Sequence, residues 1–467
     1  MGHFYHRTIE PSDHRTVVIG GGIAGLTAAW RLFEAGRQFT LLEQSGSVGG
    51  CIKTLNERGY LLELGPNTFL NSSVELWDLA KSVGILDLKI ETPEKIGKKR
   101  YVFKNDRLAA VPAGPKILFS PILSARGRLR LLAEPFIKSK YARSSTNAYA
   151  DESMASFVKR RLGDEVLNYL VTPFVSGIFA GDPERLSIKA IFPKLAEAEQ
   201  KFGSIFKGMS SLKGEIKSSG MGSFIAGIGT LPLAIESRLK DSIIKNAAVQ
   251  EISRLNNGYN IRYAVGGELK NIVADIVICA LPAYAAAEVM ANIDLNLKKS
   301  LQGIEYAPII VIHTGYRQSD IPRKLDGFGF LVPRKQRARI LGSLWSSSLF
   351  KDRSPDGSVL FTSFMGGMLD LEALDLSNED IMRVVQKDMA RTLNIKTNPN
   401  FACITRYTHA IPQYNLGHLN RLSNIEGLRK KYRGLFLTGS YFTGISVAGT
   451  IEHANKVANE IMGGMKL

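Results

Sequence analysis

The chain has little cysteine: three residues in 467, Cys51, Cys279 and Cys403, widely spaced and odd in number. This excludes a disulfide framework and any Cys-x-x-Cys metal site, and suits a reducing compartment, so a cytoplasmic location is expected. Cys279 lies inside the apolar run 276–280 and reads as a small buried hydrophobe. Long hydrophobic runs are missing too; none approaches the roughly 18 residues of a spanning helix. Residues 1–15 lack the apolar core of a secretory signal, and Glu10, Pro11 and Asp13 interrupt any amphipathic helix. They read as a flexible N-terminal extension. Repeats and low-complexity tracts are absent. What remains is globular in composition, 45% hydrophobic and 22% charged, and long enough to predict two or three domains.

Acidic residues are also in short supply: 43 Asp and Glu against 60 Lys and Arg leave a formal charge of +17. The imbalance is uneven. Residues 91–150 hold 13 Lys and Arg against 4 Asp and Glu. Nucleic acid, an anionic membrane surface or an acidic substrate could each be the partner, and a solvated basic face is the alternative.

The most informative segment lies near the N-terminus. Thr16–Ile19 is apolar and β-branched, hence a buried strand, and it runs straight into Gly20-Gly21-Gly22-Ile23-Ala24-Gly25. A helix over Leu26–Ala35, closed by Gly36, and a strand Phe39–Leu42 ending at Glu43 complete a β-α-β unit. Gly20 permits the tight turn, Gly22 lets backbone approach a pyrophosphate, and Gly25 allows close helix–strand packing. The phosphates are expected at the helix N-terminus, around Ile23 and Ala24, where free N–H groups and the helix dipole favour negative charge. Glu43, eighteen residues past Gly25, is placed to accept hydrogen bonds from a ribose. The unit predicts a dinucleotide and leaves NAD and FAD both open.

Further along, Val249–Leu255, Tyr259–Val265 and the turns Asn256-Asn257-Gly258 and Gly266-Gly267 read as a small β-meander, followed by a buried strand in 275–280. Near the C-terminus, a strand Leu435–Leu437, a loop 438–444 and a helix Ser446–Met462 form a second strand–glycine–helix element. Residues 91–220 read as mainly helical, broken by prolines, and residues 300–400 mix strands (308–314, 340–345, 359–365) with a helix near 378–394.

Two resemblances narrow this reading. Gln44–Thr54, with the pair Gly49-Gly50 followed by Cys51, resembles the extended FAD motif of amine-oxidase-like flavoproteins, which include amine oxidases, carotenoid desaturases and protoporphyrinogen oxidases. Residues 63–69, 100–103, 173–193, 344–346, 364–367, 409–418 and 439–447 resemble the oxygen-dependent, FAD-containing protoporphyrinogen oxidases. The most discriminating phrases are Ser-Gly-Ile-Phe-Ala-Gly-Asp-Pro-Glu-Arg-Leu-Ser-Ile-Lys-Ala at 176–190 and His-Ala-Ile-Pro-Gln-Tyr at 409–414.

The resemblance implies an α/β fold (α+β overall). A discontinuous Rossmann-like FAD-binding domain would be built from 16–90, 221–300 and 401–467, with a helical basic insert at 91–220 and a mixed-sheet substrate region at 301–400. Besides the glycine loop and Glu43, it implies cofactor contacts from Gln44, Gly49, Gly50, Cys51, Gly65, Pro66, Asn67 and Thr68. Val249 would lie on the adenine side, and Gly439, Ser440, Ile445, Ser446 and Val447 against the flavin. Its substrate is a porphyrinogen, implying propionate binding by Arg100, ring contacts from Leu331, Leu344 and Phe364, and a close backbone approach at Gly177. The competing reading of Arg100 is a surface cation beside Lys98 and Lys99.

No general base is evident, so no catalytic residue is assigned; His409 reads as a locally hydrogen-bonded histidine. No metal is expected. Dioxygen is the implied electron acceptor. The insert 114–140 mixes apolar residues with Arg126, Arg128 and Arg130, as in interfacial membrane contacts, which implies docking on the inner face of the cell membrane. A homodimer is compatible with the family. Coproporphyrinogen III as substrate, an amine oxidase or desaturase activity, and a non-enzymatic nucleic-acid-binding protein stand as alternatives; the flavin motif argues against the last.

Overall fold

The computed structural model describes residues 15–112, 114–140, 151–211 and 220–464. The expected extension lies outside the described residues except for Arg15, whose backbone N–H donates to Asp275 Oδ2 at 2.9 Å.

The N-terminal unit forms as its sequence predicts. Strand β1 (Thr16–Ile19) leads into helix α1 (Ile23–Glu34) and strand β2 (Phe39–Leu42). Strands β3 (Ile243–Ile244), β4 (Ile276–Cys279) and β5 (Leu435–Leu437) return from far along the chain. The five make one sheet in the order β3-β2-β1-β4-β5, with every pair parallel. A parallel sheet is covered on both faces, which is why β1 and β4 are continuous apolar runs. One face packs on α1 and on helix α2 (Val447–Gly464) through Leu26, Ala29, Leu32, Ile451 and Ile461. The other packs on the antiparallel meander 247–274 through Ile252, Tyr259 and Ile261. Cys279 is fully buried in that second core, and burial pushes its thiol up to about 12.

A seven-stranded sheet forms the other half. Its order is Phe401–Pro412, Tyr306–Arg317, Ser358–Gly366, Gly342–Leu344, Gly329–Leu331, Tyr101–Lys104 and Arg107–Ala110. All neighbours are antiparallel except Gly329–Leu331 with Tyr101–Lys104. One face is closed by the helix Asn378–Leu393, whose Ile381, Val385 and Met389 pack on Phe330, Trp345, Phe361 and Met365. Short helices between 114 and 211 form a separate apolar cluster around Phe157, Val158, Val175 and Ile188.

Two segments divide differently from the expectation. Residues 401–412 pair with 306–317 at one edge of the substrate-side sheet instead of joining the nucleotide part. As an edge strand that is largely open to solvent, this segment carries a mixed apolar and polar pattern that does not announce itself. Residues 101–110 form a hairpin at the opposite edge rather than part of a helical insert. Asn105 and Asp106 both take the positive φ of a two-residue hairpin turn, a local signal outweighed by the surrounding prolines.

The glycine loop offers a direct test. A Cβ on Gly25 would lie 1.9 Å from the carbonyl oxygen of Gly20. Gly25→Ala is therefore expected to cost about 1–3 kcal/mol of stability, the usual scale of overpacking. A lower midpoint in denaturant unfolding, with loss of bound nucleotide, would show it.

Candidate active site

The carboxyl ends of β1, β4 and β5 meet in one crevice, where open α/β sheets bind ligands. Gly20 leaves β1 with φ +100, and Gly22 caps α1 with no side-chain hydrogen bond. A Cβ built on Gly22 meets nothing within 4 Å, so this turn is an open cradle in front of a helix N-terminus. Ile23 and Ala24 form the buried first turn behind it. Glu43 ends β2, buried: its Oε2 accepts from the Gly21 N–H at 2.6 Å and its Oε1 from the Ser45 N–H at 2.8 Å. The Gly49 N–H donates to the Gly21 oxygen at 2.8 Å, which lays Gly49 and Gly50 alongside Gly22. Both glycines have positive φ. Gln44 is exposed beside them.

Further along the same crevice, Cys51 is exposed, although surrounding protein raises its thiol pKa through desolvation. Gly65 packs so closely on it that a Cβ there would lie 2.1 Å from the Cys51 oxygen. Pro66, Asn67 and Thr68 follow, half-buried, with Asn67 Nδ2 donating to the Gly65 oxygen at 3.0 Å. Val249 lies at a bulge in the meander's first strand. That strand is tied to the acid, since the Ala247 N–H donates to the Glu43 oxygen at 2.8 Å. At the other end, Gly439 and Ser440 leave β5, and Ile445 and Ser446 precede Val447, the first residue of α2. Ser446 Oγ accepts from the Gly449 N–H at 3.0 Å, capping that helix.

The five expected substrate residues also come together. Leu331 pairs with Gly342 and Gly342 with Phe364, while Leu344 pairs with Gly329 and Thr362. Facing residues share a side of the sheet and alternation preserves it, so Leu331, Leu344 and Phe364 lie on one face. All three are half-buried, whereas Phe330, Trp345 and Met365 on the opposite face are buried. Arg100 stands two residues before Val102, the partner of Leu331, and so joins the same face. Lys98 pairs with Glu94 and Lys99 with Asp326, but among the described residues Arg100 has no carboxylate partner. It reaches solvent over the Phe328 ring, at 5.1 Å, yet enough protein surrounds it that desolvation lowers its pKa. Helix Thr172–Phe179 crosses above this face; a Cβ on Gly177 would meet Leu331 Cδ2 at 2.4 Å.

The two discriminating sequence phrases meet in space. Gln413 Nε2 donates to the Phe179 oxygen at 2.8 Å, the Ser187 N–H to the Tyr414 oxygen at 2.8 Å, and the Leu416 N–H to the Arg185 oxygen at 2.8 Å. The Tyr414 hydroxyl then donates to the Ser440 oxygen and accepts from the Gly444 N–H at 2.7 Å. One hydrogen-bonded spine thus runs from the helix over the apolar face to the loop 439–447. A second link is Tyr407, which packs in the same cluster as Phe364 and lies near Cys51. Its hydroxyl is pushed up to about 12, chiefly by burial. His409 is exposed, with its Nδ1 3.1 Å from Thr408 Oγ1 and its ring beside Tyr284.

A buried polar cluster below this junction received no role from the sequence. Glu63 Oε2 accepts from Thr54 Oγ1 at 2.6 Å, its Oε1 accepts from the Ile228 N–H at 2.9 Å, and Arg353 lies 3.9 Å away. Glu63, Arg353, Asn67, Ser346 and Thr362 line a cavity of about 10 Å³, the scale of a single water. His313, paired with Thr362 in the sheet, is fully buried with neither ring nitrogen hydrogen-bonded among the described residues. Burial holds its pKa down to about 4. A histidine inside the apolar run 308–314 was the available signal.

The open cradle at Gly22, the acid at the end of β2 and the two loops that flank the crevice fit a flavin dinucleotide. Comparison with known proteins agrees: the chain belongs to the flavin containing amine oxidoreductase family, whose model matches residues 23–462. It is an FAD-dependent oxidoreductase. Its relatives include protoporphyrinogen oxidase 1 of the spinach chloroplast (Spinacia oleracea), 32% identical over 96% of this chain and 84% of that protein. Coproporphyrinogen III oxidase of Bacillus subtilis is 28% identical over 96% of this chain and 97% of that protein. A crystal structure from Exiguobacterium sp. 255-15, provisionally named protoporphyrinogen oxidase, superposes with a TM-score of 0.83 at 22% identity, covering 97% of this chain and 99% of that one, and shows the fold.

The Glu63 cluster predicts a pH effect. Burial raises its carboxyl from 4.5 to about 7 despite Arg353. Between those values the folded state holds a proton that the unfolded chain has released, so stability falls as pH rises from about 4.5 to 7. The slope from this one group is at most about 1.4 kcal/mol per pH unit. Glu63→Gln is expected to flatten that part of a stability–pH curve measured by chemical denaturation.

Proposed function

We propose that the chain oxidises a porphyrinogen to the corresponding porphyrin, with protoporphyrinogen IX as substrate, protoporphyrin IX as product and haem biosynthesis as context. The carrying observation is the partly buried apolar face of Leu331, Leu344 and Phe364, bordered by Arg100, which has no carboxylate partner among the described residues. A tetrapyrrole offers the matching surface: a broad apolar macrocycle with propionates on one side. Bound FAD supplies the two-electron acceptor. Six electrons and six protons leave the macrocycle, so three rounds are needed, and three dioxygen molecules would carry the electrons away as hydrogen peroxide.

The chain's contribution is position and exclusion of water. Gly20, Gly22, Gly25, Glu43, Gly49 and Gly50 hold the nucleotide end of the cofactor, and the 65–68 and 439–447 loops hold its reacting end. Arg100 takes a propionate through its planar fork. The sheet face and Gly177 fix the height of the ring. Tautomerisation moves protons within the tetrapyrrole itself, so this reading assigns no general base to the chain. Among the described residues Arg100 borders this face without a carboxylate partner, and we read it as suiting the two propionates of protoporphyrinogen IX better than the four of coproporphyrinogen III. The Bacillus subtilis relative keeps that second substrate open to experiment.

Two predictions test this reading. Arg100→Ala should lower kcat/KM for protoporphyrinogen by roughly 10- to 100-fold, the scale of a lost charge-assisted hydrogen bond, without altering flavin content. Arg100→Lys should recover only part of it, since an ammonium lacks the fork. Rates on both porphyrinogens, followed by porphyrin fluorescence with oxygen uptake, decide the substrate; a faster coproporphyrinogen reaction would replace the assignment.

The insert 114–140 also supports peripheral attachment to an anionic membrane on the cytoplasmic side. No helix of the described residues is long and apolar enough to cross a membrane. Yet Phe119 and Phe136 are 84% and 87% exposed, with Leu129 and Leu132 exposed nearby. Arg126, Lys116 and Lys138 are exposed around them. Arg128 and Arg130 instead turn to backbone carbonyls of Ser120, Arg160 and Arg161. The phenylalanines are therefore the better test. Phe119→Ser with Phe136→Ser is expected to abolish sedimentation with anionic vesicles while leaving flavin content intact; unchanged sedimentation would remove the membrane assignment.

A further inference from the structure

A separate pocket of about 450 Å³ opens between helix His418–Arg429, the edge strand β5 and α2. Its size falls within the roughly 300–1,000 Å³ of small-molecule sites. Apart from Phe442 and Thr443 of the loop 439–447, none of the residues assigned above to flavin or macrocycle lines it. Its floor is apolar, made by Phe436, Leu437, Phe442 and Val457.

The charge around that floor is not balanced. Arg429, only 5% exposed, donates to Glu426 Oε2 at 3.0 and 3.2 Å, to Glu460 Oε1 at 3.1 Å and to the Leu435 oxygen at 3.1 Å. Both carboxylates of the pocket are thereby engaged by one buried guanidinium. Lys430 and Lys456 also line the pocket, and among the described residues neither forms an ion pair. His453 completes the wall. Its ring stacks on Phe442 at 4.3 Å and 8°, and its Nδ1 lies 3.0 Å from Thr438 Oγ1, leaving Nε2 as the ring's remaining hydrogen-bonding atom. Burial, helped by Lys456 and Arg429, holds this imidazole down to about 4, so it is neutral near pH 7.

We propose that this pocket binds a small organic anion with an aromatic or alicyclic body, the body resting on Phe436, Leu437, Phe442 and Val457 and the anionic group taken by Lys430 and Lys456. Two unpaired cations above an apolar floor favour this class over a cation or a neutral hydrophobe. A peptide strand is disfavoured, because β5 offers an edge of only three residues. The pocket also touches the loop 439–447 through Phe442 and Thr443, so occupancy would be felt at the wall of the crevice.

The test uses the FAD-loaded protein and two probes of similar shape, 1-naphthoate and the neutral 1-naphthalenemethanol. Binding is followed by saturation-transfer NMR, and the histidines by 13C-labelled imidazole resonances, with His453→Gln identifying the His453 signal. The expected result is saturable naphthoate binding that shifts the His453 signal, with at least roughly tenfold weaker binding of the neutral probe and of naphthoate to the Lys430→Gln/Lys456→Gln double variant. An unchanged flavin absorbance spectrum shows that the double variant is folded. Arg100→Ala should leave naphthoate binding unaltered. Absence of saturable binding, equal affinity for the two probes, or loss of binding in Arg100→Ala but not in the lysine variant would overturn the proposal.

Discussion

The hydroxyl of Tyr414 is the point on which the two halves of this molecule depend. It donates a hydrogen bond to the Ser440 oxygen and accepts one from the Gly444 N–H, while the Tyr414 backbone oxygen accepts from the Ser187 N–H. Its ring is stacked on His418 at 4.1 Å, and the His418 Nε2 lies 3.0 Å from the Tyr441 oxygen. A buried phenol that both donates and accepts is fully satisfied, and burial pushes its ionisation well above the ordinary range. It therefore stays a neutral, rigid strut. Through it the loop after β5 is fixed relative to helix 172–179, and that helix to the apolar sheet face.

This arrangement separates two jobs by their physics. The nucleotide end relies on backbone: glycines whose missing Cβ atoms let chain segments touch, amides at a helix start, and one buried carboxylate that orders the turn around it. The sheet end relies on side chains, presented by alternation on a wide sheet whose other face is sealed by a helix. The first supports chemistry common to many flavoproteins. On the function proposed above, the second sets the substrate, and Arg100 at the border of an apolar face is a small feature from which a different choice of substrate could arise.

Much of the nucleotide half was legible because its signals are local. The strand, glycine loop, helix and acid fall within about thirty residues, and the spacing alone assigns them. The expected substrate residues were named only through resemblance, since an isolated Leu331 or Phe364 in a strand reads as core; it took the register between distant strands to put them on one face. The hairpin 101–110 and the edge strand 401–412 were misplaced because neither shows clean alternation. The cluster around Glu63, Arg353 and His313 was invisible for a deeper reason. Its members are consistent with ordinary surface or core positions one at a time, and their coupling exists only once the hairpin 54–63 packs over the sheet at Gly315, where a Cβ would lie 2.6 Å from the Tyr60 ring.

The seven-stranded sheet is assembled from three widely separated stretches of chain, 101–110, 306–366 and 401–412. In a polypeptide made from its N-terminus, the first hairpin has no neighbour to pair with until residue 329 has been synthesised, and the far edge stays open until residue 412. The intervening insert, with its exposed phenylalanines, emerges during that wait. Pairing across such sequence separations slows the folding of this half, because loop closure over such distances precedes any gain from pairing. Unpaired strand edges and exposed apolar surface then coexist for an extended period. The same topology that gathers the substrate face from distant segments makes the nascent chain a strong candidate for chaperone assistance.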